Sequence, residues 1–403
     1  MELFWLEHKK LWRKKIVKIC VLLCFVYCVI FGSILSFQWF CFGSSDDYTS
    51  AFGNNFDGYT VIKDSQEYAL SFGGELTDET LQKIVSDYQQ MEADGMEEEL
   101  EKTDWQIVNS WLGTLYPELR DTSNYKTMIS YVDPDKLTGF YERRQQVLDE
   151  FLEVSGQVGA EKEFLHQIER KVEKPFRYEW VEGWSMLLGS MVADLGVVMA
   201  LFLGIVLSSL FAGEWHDNTS TLVLTTRNGW GKIALAKILT GLAFTVELFA
   251  LLAVSNVISQ LFFMGTAGWD MPIQNIKLIA VAPMNMLQAE IYEYAFVLLG
   301  AIGFAGIVMF ISAAVKNNVL TLLLSLAVVY GPMMIAEYLP YEMQKALDLI
   351  PLVGSSTDIF RTNTFRIFGK LIWSPYLLIT IPVLIGILCM PFAIKSWSRR
   401  MKA

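Results

Sequence analysis

Six long apolar segments constrain the fold of this chain more than any other feature of its sequence. A helix needs about 20 mostly apolar residues to cross roughly 30 Å of hydrocarbon, and each segment is at least that long. The sequence therefore predicts an all-α polytopic membrane protein with six transmembrane helices. In chain order the segments run from about Ile16 to Phe42, Ser185 to Ala212, Ile233 to Met264, Ile291 to Val315, Val319 to Tyr338 and Leu371 to Ile394.

Charge divides the chain into two parts that belong in different surroundings. The first connection, residues 43–184, holds 30 acidic and 13 basic residues, while the rest of the chain has a net charge of +6. A nucleic-acid-binding protein would need a basic soluble face, and this soluble part is acidic. The sequence therefore excludes a nucleic-acid partner and predicts a membrane-embedded body, residues 185–403 with the first span, carrying one acidic water-soluble insert.

The orientation follows from the basic residues that flank the spans. Both tails are basic, which requires an even number of crossings, and the positive-inside bias then places both termini in the cytoplasm and the insert outside. One loop conflicts with this assignment, because the expected external loop before the last span holds Lys345, Arg361, Arg366 and Lys370. The tails hold more bases, namely Lys9, Lys10, Arg13, Lys14, Lys15, Lys395, Arg399, Arg400 and Lys402.

The first 15 residues mix apolar and charged side chains in a way typical of a helix that lies in the membrane interface. Leu3, Phe4, Leu6, Leu11 and Trp12 alternate with glutamate and lysine residues. We expect residues 1–15 to form an amphipathic cytoplasmic helix in contact with lipid. The alternative is a plain basic flank of the first span, residues 16–42.

The insert is expected to be a mostly helical extracellular domain. Thr77 precedes a stretch with helical apolar spacing and predicts one helix start, and Asp133-Pro134 predicts another. Gly156 and Gly159 are expected to break that second helix, which resumes at Ala160 and continues to Lys174.

Sequence motifs for catalysis or metal binding are missing from the chain. The three histidines, His8, His166 and His216, lie far apart, and no nucleophile elbow, paired zinc-ligand motif or phosphate-binding loop is present. We therefore expect no catalytic residue, no metal ligand and no ATP hydrolysis by this chain itself.

Polar residues inside the spans are candidates for a translocation path. Asp194 lies in the second span, and Glu247 lies near the middle of the third, where a charge costs about 2.5–3.5 kcal/mol. Asn256 and Gln260 continue a polar side of the third span. The alternative is a structural role, with a protonated carboxyl bonded to a neighbouring helix or a carboxylate paired with Lys237.

The short connection at residues 213–232 has features of a docking element. Asn218 can cap a short helix, and Glu214 and Asp217 place negative charge near its N-terminus, where the helix dipole favours it. Leu222 and Leu224 give that helix an apolar side, which predicts that it docks in a groove of a partner.

This connection resembles the first cytoplasmic loop of ABC transporter permeases of the type-2 exporter family. Those proteins have an acidic residue leaving the second span, then Gly/Asn-Thr, a short Leu-rich helix, Ser/Thr-x-Arg and a lysine opening the third span. The matching residues here are Glu214, Asn218, Thr219, Leu222, Leu224, Thr226, Arg227 and Lys237.

The resemblance implies a permease subunit of a bacterial plasma-membrane exporter. It implies pairing with a second permease, alike or different, and with separate ATPase subunits that hold ATP and magnesium, so this chain itself carries no cofactor. The substrate would be a peptide, antibiotic, lipid, glycan or ion.

Two other classes of protein remain open from the residues alone. One is a membrane receptor or immunity protein that binds an extracellular peptide without transporting it. The other is an intramembrane enzyme that uses Asp194 and Glu247 as an acid pair, although no supporting motif accompanies those carboxyls. Co-purification with an ATPase would separate the permease from both.

Overall fold

The structure, a computed structural model, describes most of the chain. The described residues are 2–42, 66–67, 73–96, 105–121, 126–188, 192–216, 231–354 and 363–399. Within helices, the side chains of residues 28, 31–42, 106, 192–194, 216 and 399 are outside the description.

The described part is mostly helical, as expected, with two small sheets that the all-α prediction did not include. The helices are α1 (Glu2–Arg13), α2 (Lys15–Phe42), α3 (Asp78–Ala93), α4 (Trp105–Leu115), α5 (Phe140–Val154), α6 (Ala160–Glu169), α7 (Glu182–Met186), α8 (Val192–His216), α9 (Lys232–Met264), α10 (Met286–Ala314), α11 (Asn318–Ile335), α12 (Tyr341–Leu347) and α13 (Ser374–Arg399). The strands are β1 (Gly74–Leu76), β2 (Phe176–Tyr178), β3 (Thr364–Ile367) and β4 (Lys370–Trp373).

Five helices are long and apolar enough to cross a membrane, which supports the prediction of a membrane protein. The remaining expected span is the first in chain order, and it coincides with α2. Most side chains in the second half of α2 are outside the description, so the count of six stays a prediction. The five spans are Leu195–Trp215, Lys232–Met264, Met286–Ala314, Asn318–Tyr338 and Ser374–Ser398.

Two spans, the fourth and the last, begin at other positions than the sequence predicted, each for a local reason. The second span, predicted from Ser185, is described from Val192 onward, and Ser185 itself lies in the short helix α7. The fourth starts at Met286 because Asn285 and Gln288 form a capping box there. The last starts at Ser374 because the residues before it form strand β4.

Helices α10 and α13 approach closely where glycines meet at their contact. A Cβ atom added at Gly306 would lie 2.5 Å from the carbonyl oxygen of Gly386. Small residues of this kind let helix backbones approach closely in membranes, where dispersion contacts supply much of the packing energy. The two helices are therefore in close backbone contact.

The insert has its own apolar core, in which helices α3, α4 and α5 surround the β1–β2 ladder. The strands pair antiparallel with Gly74 opposite Tyr178. Thr77 caps α3 as predicted, accepting a hydrogen bond from the Thr80 backbone. The buried core side chains include Leu76, Leu81, Ile84, Val85, Trp111, Leu112, Phe140 and Phe176.

The helix predicted to start at Asp133-Pro134 begins instead at Phe140. Residues Pro134–Lys136 form only a 3-10 turn, and Gly139 then adopts a left-handed conformation with φ of 72°. The carboxylate of Asp78 accepts hydrogen bonds from the backbone N–H groups of Gly139 and Phe140, at 2.7 and 2.9 Å. This capping group comes from another helix, so the local sequence gives the wrong helix start. The break at Gly156 and Gly159 is confirmed, and α6 ends at Glu169 rather than Lys174.

The resemblance to the exporter family also predicts two short helices before the last span, around Tyr341–Ile350 and Ser355–Arg366. The first forms as α12, and residues 355–362 lie outside the described chain. Thr364–Ile367 is strand β3 of a hairpin with β4 instead of helix. Phe368 and Gly369, at φ of 49° and 79°, make the two-residue turn whose geometry suits such a hairpin.

The insert packs against two loops of the membrane body. Trp111 donates its indole N–H to the backbone oxygen of Asn275 at 2.9 Å, in the loop between α9 and α10. The Thr364 hydroxyl donates to the Gln157 side chain at 2.7 Å, and Arg366 pairs with Glu161 at 2.5 Å. These two contacts join α6 and the residues just before it to the β3–β4 hairpin. We call this side of the bundle, where the insert contacts both loops, the insert end.

Arg144 of α5 is the most deeply buried charge of the insert end. Its guanidinium donates to the backbone oxygens of Leu278 and Ala280 and pairs with Glu169 at 2.6 Å, and Lys174 reaches the same carboxylate at 2.7 Å. Burial lowers the pKa of Arg144, against the opposing effect of Glu169. Burial would raise the pKa of Glu169, but hydrogen bonds from Lys174 and Arg144 outweigh it and hold that pKa below its ordinary value.

Candidate functional site

The candidate site lies at the opposite side of the bundle, which we call the tail end, where α8 stops and α9 starts. Glu214 sits in the last turn of α8, and Lys237 sits in the second turn of α9. Residues 217–230, which connect them, lie outside the described residues. The predicted coupling residues Asp217, Asn218, Thr219, Leu222, Leu224 and Arg227 therefore have no described position, and Glu214 alone of that set does.

Glu214 and Lys237 are brought together as a buried ion pair. Their charged atoms are 2.8 Å apart, and only 4% and 2% of the two side chains is exposed. Helix α1 supplies a further partner to each. Lys10 reaches the same Glu214 oxygen at 2.6 Å, and Glu7 accepts from Lys237 at 2.8 Å.

The resulting network alternates in sign along Lys10, Glu214, Lys237 and Glu7. A buried charge is costly unless it is paired, and this alternation gives both buried groups two opposite neighbours. Lys14, at the junction of α1 and α2, adds a hydrogen bond to Ser209 of α8 at 3.0 Å. The network therefore fixes α1 across the ends of α8 and α9, directly beside the point where the chain leaves for residues 217–230.

Sequence reasoning named Glu214 and Lys237 but missed the contribution of α1. Glu7 and Lys10 lie more than 200 residues from their partners, so no local pattern links them. The amphipathic helix that the sequence predicted over residues 1–15 does form, as Glu2–Arg13. Trp5 and Leu6 are exposed on it while Leu11 is buried, which is the two-sided distribution of an interfacial helix.

Glu247 also contacts α1. Its carboxylate accepts from the Trp12 indole at 3.0 Å and lies 3.2 Å from His8, with 43% of its side chain exposed. It does not pair with Lys237, whose ammonium group pairs with Glu214 and Glu7 instead. Glu247 thus lies on the α1 side of α9, and its role in transport stays a prediction.

The other predicted path residues are placed differently. Asn256 and Gln260 are buried on α9, and Asn256 donates to the Tyr294 hydroxyl of α10 at 3.0 Å. Asp194 lies within α8, in the stretch whose side chains are outside the description.

Two further carboxyls, Glu290 and Glu293, are buried on α10, the helix that Asn256 contacts. The sequence did not single them out as candidates. Since α9 and α10 run antiparallel, the Asn256–Tyr294 contact places Gln260 opposite Glu290, one helical turn nearer the insert end. Assigning the fourth span to Ile291 left Glu290 outside it. The signal that could have included it was the Asn285-x-x-Gln288 capping box, which starts the helix at Met286.

The chemistry available at the tail end is charge pairing and docking. In the part of the chain that the structure describes, no group of three or more His, Cys, Asp or Glu side chains is arranged to hold a metal ion. The network residues pair with one another and surround a cleft too small for a substrate, about 20 Å³ in volume. At the tail end, helices α1, α8 and α9 are therefore held together beside the connecting residues 217–230.

Comparisons with known proteins leave the family open. No protein-family model matches the chain, and neither a curated protein nor a solved structure matches it. The class that the fold itself defines is a helical membrane protein with one folded insert.

Proposed function

We propose that the chain is the membrane-spanning permease subunit of an ATP-driven ABC exporter in a bacterial plasma membrane. Residues 43–184 face outward and both termini face the cytoplasm. A second permease subunit completes the membrane part, and separate ATPase subunits bind ATP and magnesium and dock on residues 213–232.

The contacts at the two ends support a six-span arrangement. Helix α1 is held at the tail end through Glu214 and Lys237, while Gln66, which follows α2 in the chain, donates to the backbone oxygen of Met264 at the insert end. The chain therefore lies at the tail end in α1 and at the insert end by Gln66, within the insert. Between these two points the structure describes one helix, α2, which is 28 residues long.

The observation that carries the proposal is the buried Glu214–Lys237 pair at the two ends of residues 217–230. It clamps the end of one span to the start of the next, so a force applied to the connecting segment is transmitted to both helices. α1 adds two further contacts to the same clamp. Such a clamp suits a segment that receives motion from a partner and passes it into the membrane.

The test changes Leu222 and Leu224 to Asp in the tagged full-length protein, expressed in its own host. We expect loss of the co-purifying ATPase, which mass spectrometry identifies by its G-x-x-x-x-G-K-[ST] motif, together with normal membrane insertion. The apolar side of a short helix supplies its docking energy, and two aspartates remove it.

The matched control is Val319→Asp, at the other connection on the tail end, where an exposed acidic side chain in a first helical turn is tolerated. It should retain the ATPase. Retention of the ATPase by the double leucine variant would contradict the proposal.

The second candidate is a receptor or immunity protein that binds an extracellular peptide without transport. A polar cleft at the insert end, described below, favours it. Absence of any ATPase from the purified wild-type protein, with peptide binding intact, would support this candidate over the permease.

A further inference from the structure

A cleft of about 360 Å³ opens at the insert end, between the insert and the loop that precedes α10. Its volume lies in the range of small-molecule sites. One wall comes from the segment that joins α6 to β2, and the other comes from the loop after α9 and the first turn of α10. The polar residues that matter here are Lys171, Glu173, Arg177, Asp270, Gln274 and Gln288.

The floor of the cleft holds a buried acceptor without a partner. Gln274 is fully buried, and its side-chain Nε2 donates to the backbone oxygens of Ala280 and Ala282, at 3.0 and 2.9 Å. These two bonds fix the direction of the amide, since only the nitrogen can donate to carbonyls. Its Oε1 has no hydrogen-bond partner. An N–H or O–H group from a ligand would satisfy it.

The walls carry both signs of charge. Arg177 and Asp270 pair across the cleft, with 3.3 Å between their charged atoms, and so join the insert to the loop. Lys171 and Glu173 are exposed, and neither forms an ion pair with any side chain in the described ranges. The cleft therefore offers one unpaired cation, one unpaired anion and one buried acceptor.

This combination selects among ligand classes. A phosphate or a nucleotide would need a surplus of positive charge, and a cation would need a surplus of carboxylates. A ligand with an ammonium, a carboxylate and an amide N–H between them matches all three groups.

We infer that the cleft binds a short peptide with free termini. Glu173 pairs with the terminal ammonium, Lys171 pairs with the terminal carboxylate, and Gln274 accepts a backbone N–H. A peptide of two or three residues extends over about 7–10 Å, which fits a site of this size. Bound there, it touches both the insert and the start of α10, the helix that carries Glu290.

The inference goes beyond the proposed function and does not depend on it, because the purified protein without an ATPase should still bind. The test measures the Kd of trialanine for the full-length protein in nanodiscs, by calorimetry and by the rise in Tm. We expect saturable binding of trialanine and none of N-acetyl-trialanine amide, which lacks both terminal charges.

Two rim variants localise the site. Lys171→Met and Glu173→Gln should each weaken trialanine binding roughly tenfold, the size of one lost charge-assisted contact. Both side chains are exposed, so the Tm without peptide should not change. Matched variants of exposed residues elsewhere on the insert, Lys83→Met and Glu150→Gln, should bind as the wild type does.

Three outcomes would overturn the inference. They are no saturable binding of trialanine, equal binding by the rim variants and the wild type, and equal binding of glycerophosphoethanolamine. That last compound carries both charges without a peptide N–H, and its binding would assign the cleft to lipid headgroups instead.

Discussion

Both ends of the helical bundle are fastened by buried ion pairs, but the two fastenings differ in chemistry. At the insert end a guanidinium, that of Arg144, donates to Glu169 and to two backbone oxygens of a loop. At the tail end the ammonium groups of Lys10 and Lys237 share a single side-chain oxygen of Glu214.

The difference indicates what each end is built for. A guanidinium presents its donors in a rigid planar fork, so its partners are fixed in direction as well as distance. An ammonium is a compact charge on a flexible stem and exchanges partners without reorienting a plane. We therefore interpret the insert end as a fixed platform and the tail end as a clamp whose ammonium groups can exchange carboxylate partners.

The largest effect should come from Arg144→Met. The change leaves Glu169 with Lys174 alone and removes one donor from each of two loop carbonyls, those of Leu278 and Ala280. Losing one partner of a buried ion pair costs about 3–5 kcal/mol. Urea unfolding of the purified protein, followed by insert tryptophan fluorescence, measures it.

Arg366→Met is the control for that variant, because its pair with Glu161 also joins the insert to the membrane body, through the β3–β4 hairpin, but is exposed. An exposed pair contributes about 0–1 kcal/mol. Equal losses in the two variants would mean that the buried guanidinium is not what fastens the insert.

Lys237→Met should have a smaller effect on stability, at the lower end of about 3–5 kcal/mol, since Glu214 keeps Lys10 as a partner and no described backbone carbonyl loses a donor. It should also release α1, which faster tryptic cleavage at Arg13 would report. The double variant Glu214→Gln, Lys237→Met removes both buried charges and should recover part of the loss.

Lys18→Met, an exposed lysine on α2, is the comparison for cleavage and should behave as the wild type. If Lys237→Met left tryptic cleavage unchanged, α1 would be held by something other than the network.

The smallest effect should be a dependence of insert stability on acid pH. The pKa of Glu169 lies below the ordinary value of 4.5, so the stability that its ionisation provides is complete above pH 4.5. It is lost as the pH falls through the lowered folded-state pKa.

Glu169→Gln should flatten this part of the profile, as measured by the Tm of the insert transition between neutral and acid pH. A profile identical to that of the wild type would show that another carboxyl controls it. Glu118 and Glu161, whose pKa values are also lowered, first by their own backbone hydrogen bonds and then by arginines, would be next to test.

The sequence predicted those features that depend on consecutive residues, and it missed those that depend on residues far apart in the chain. A span is a property of 20 consecutive residues, so five spans could be read directly. The start of α5 could not, because its cap is Asp78, 61 residues away. The same applies to the tail-end network, where Glu214 and Lys237 were visible as a pattern but Glu7 and Lys10 entered only through the fold.

We propose that the insert end and the tail end lie on opposite sides of a membrane, with the insert outside. Cysteines at Glu150 on the insert and at Lys9 on α1 test it, in a protein whose five native cysteines have been replaced. We predict that an impermeant thiol reagent labels Glu150→Cys on intact cells and labels Lys9→Cys only after the membrane is opened. Labelling of both on intact cells, or of Lys9→Cys alone, would contradict the account.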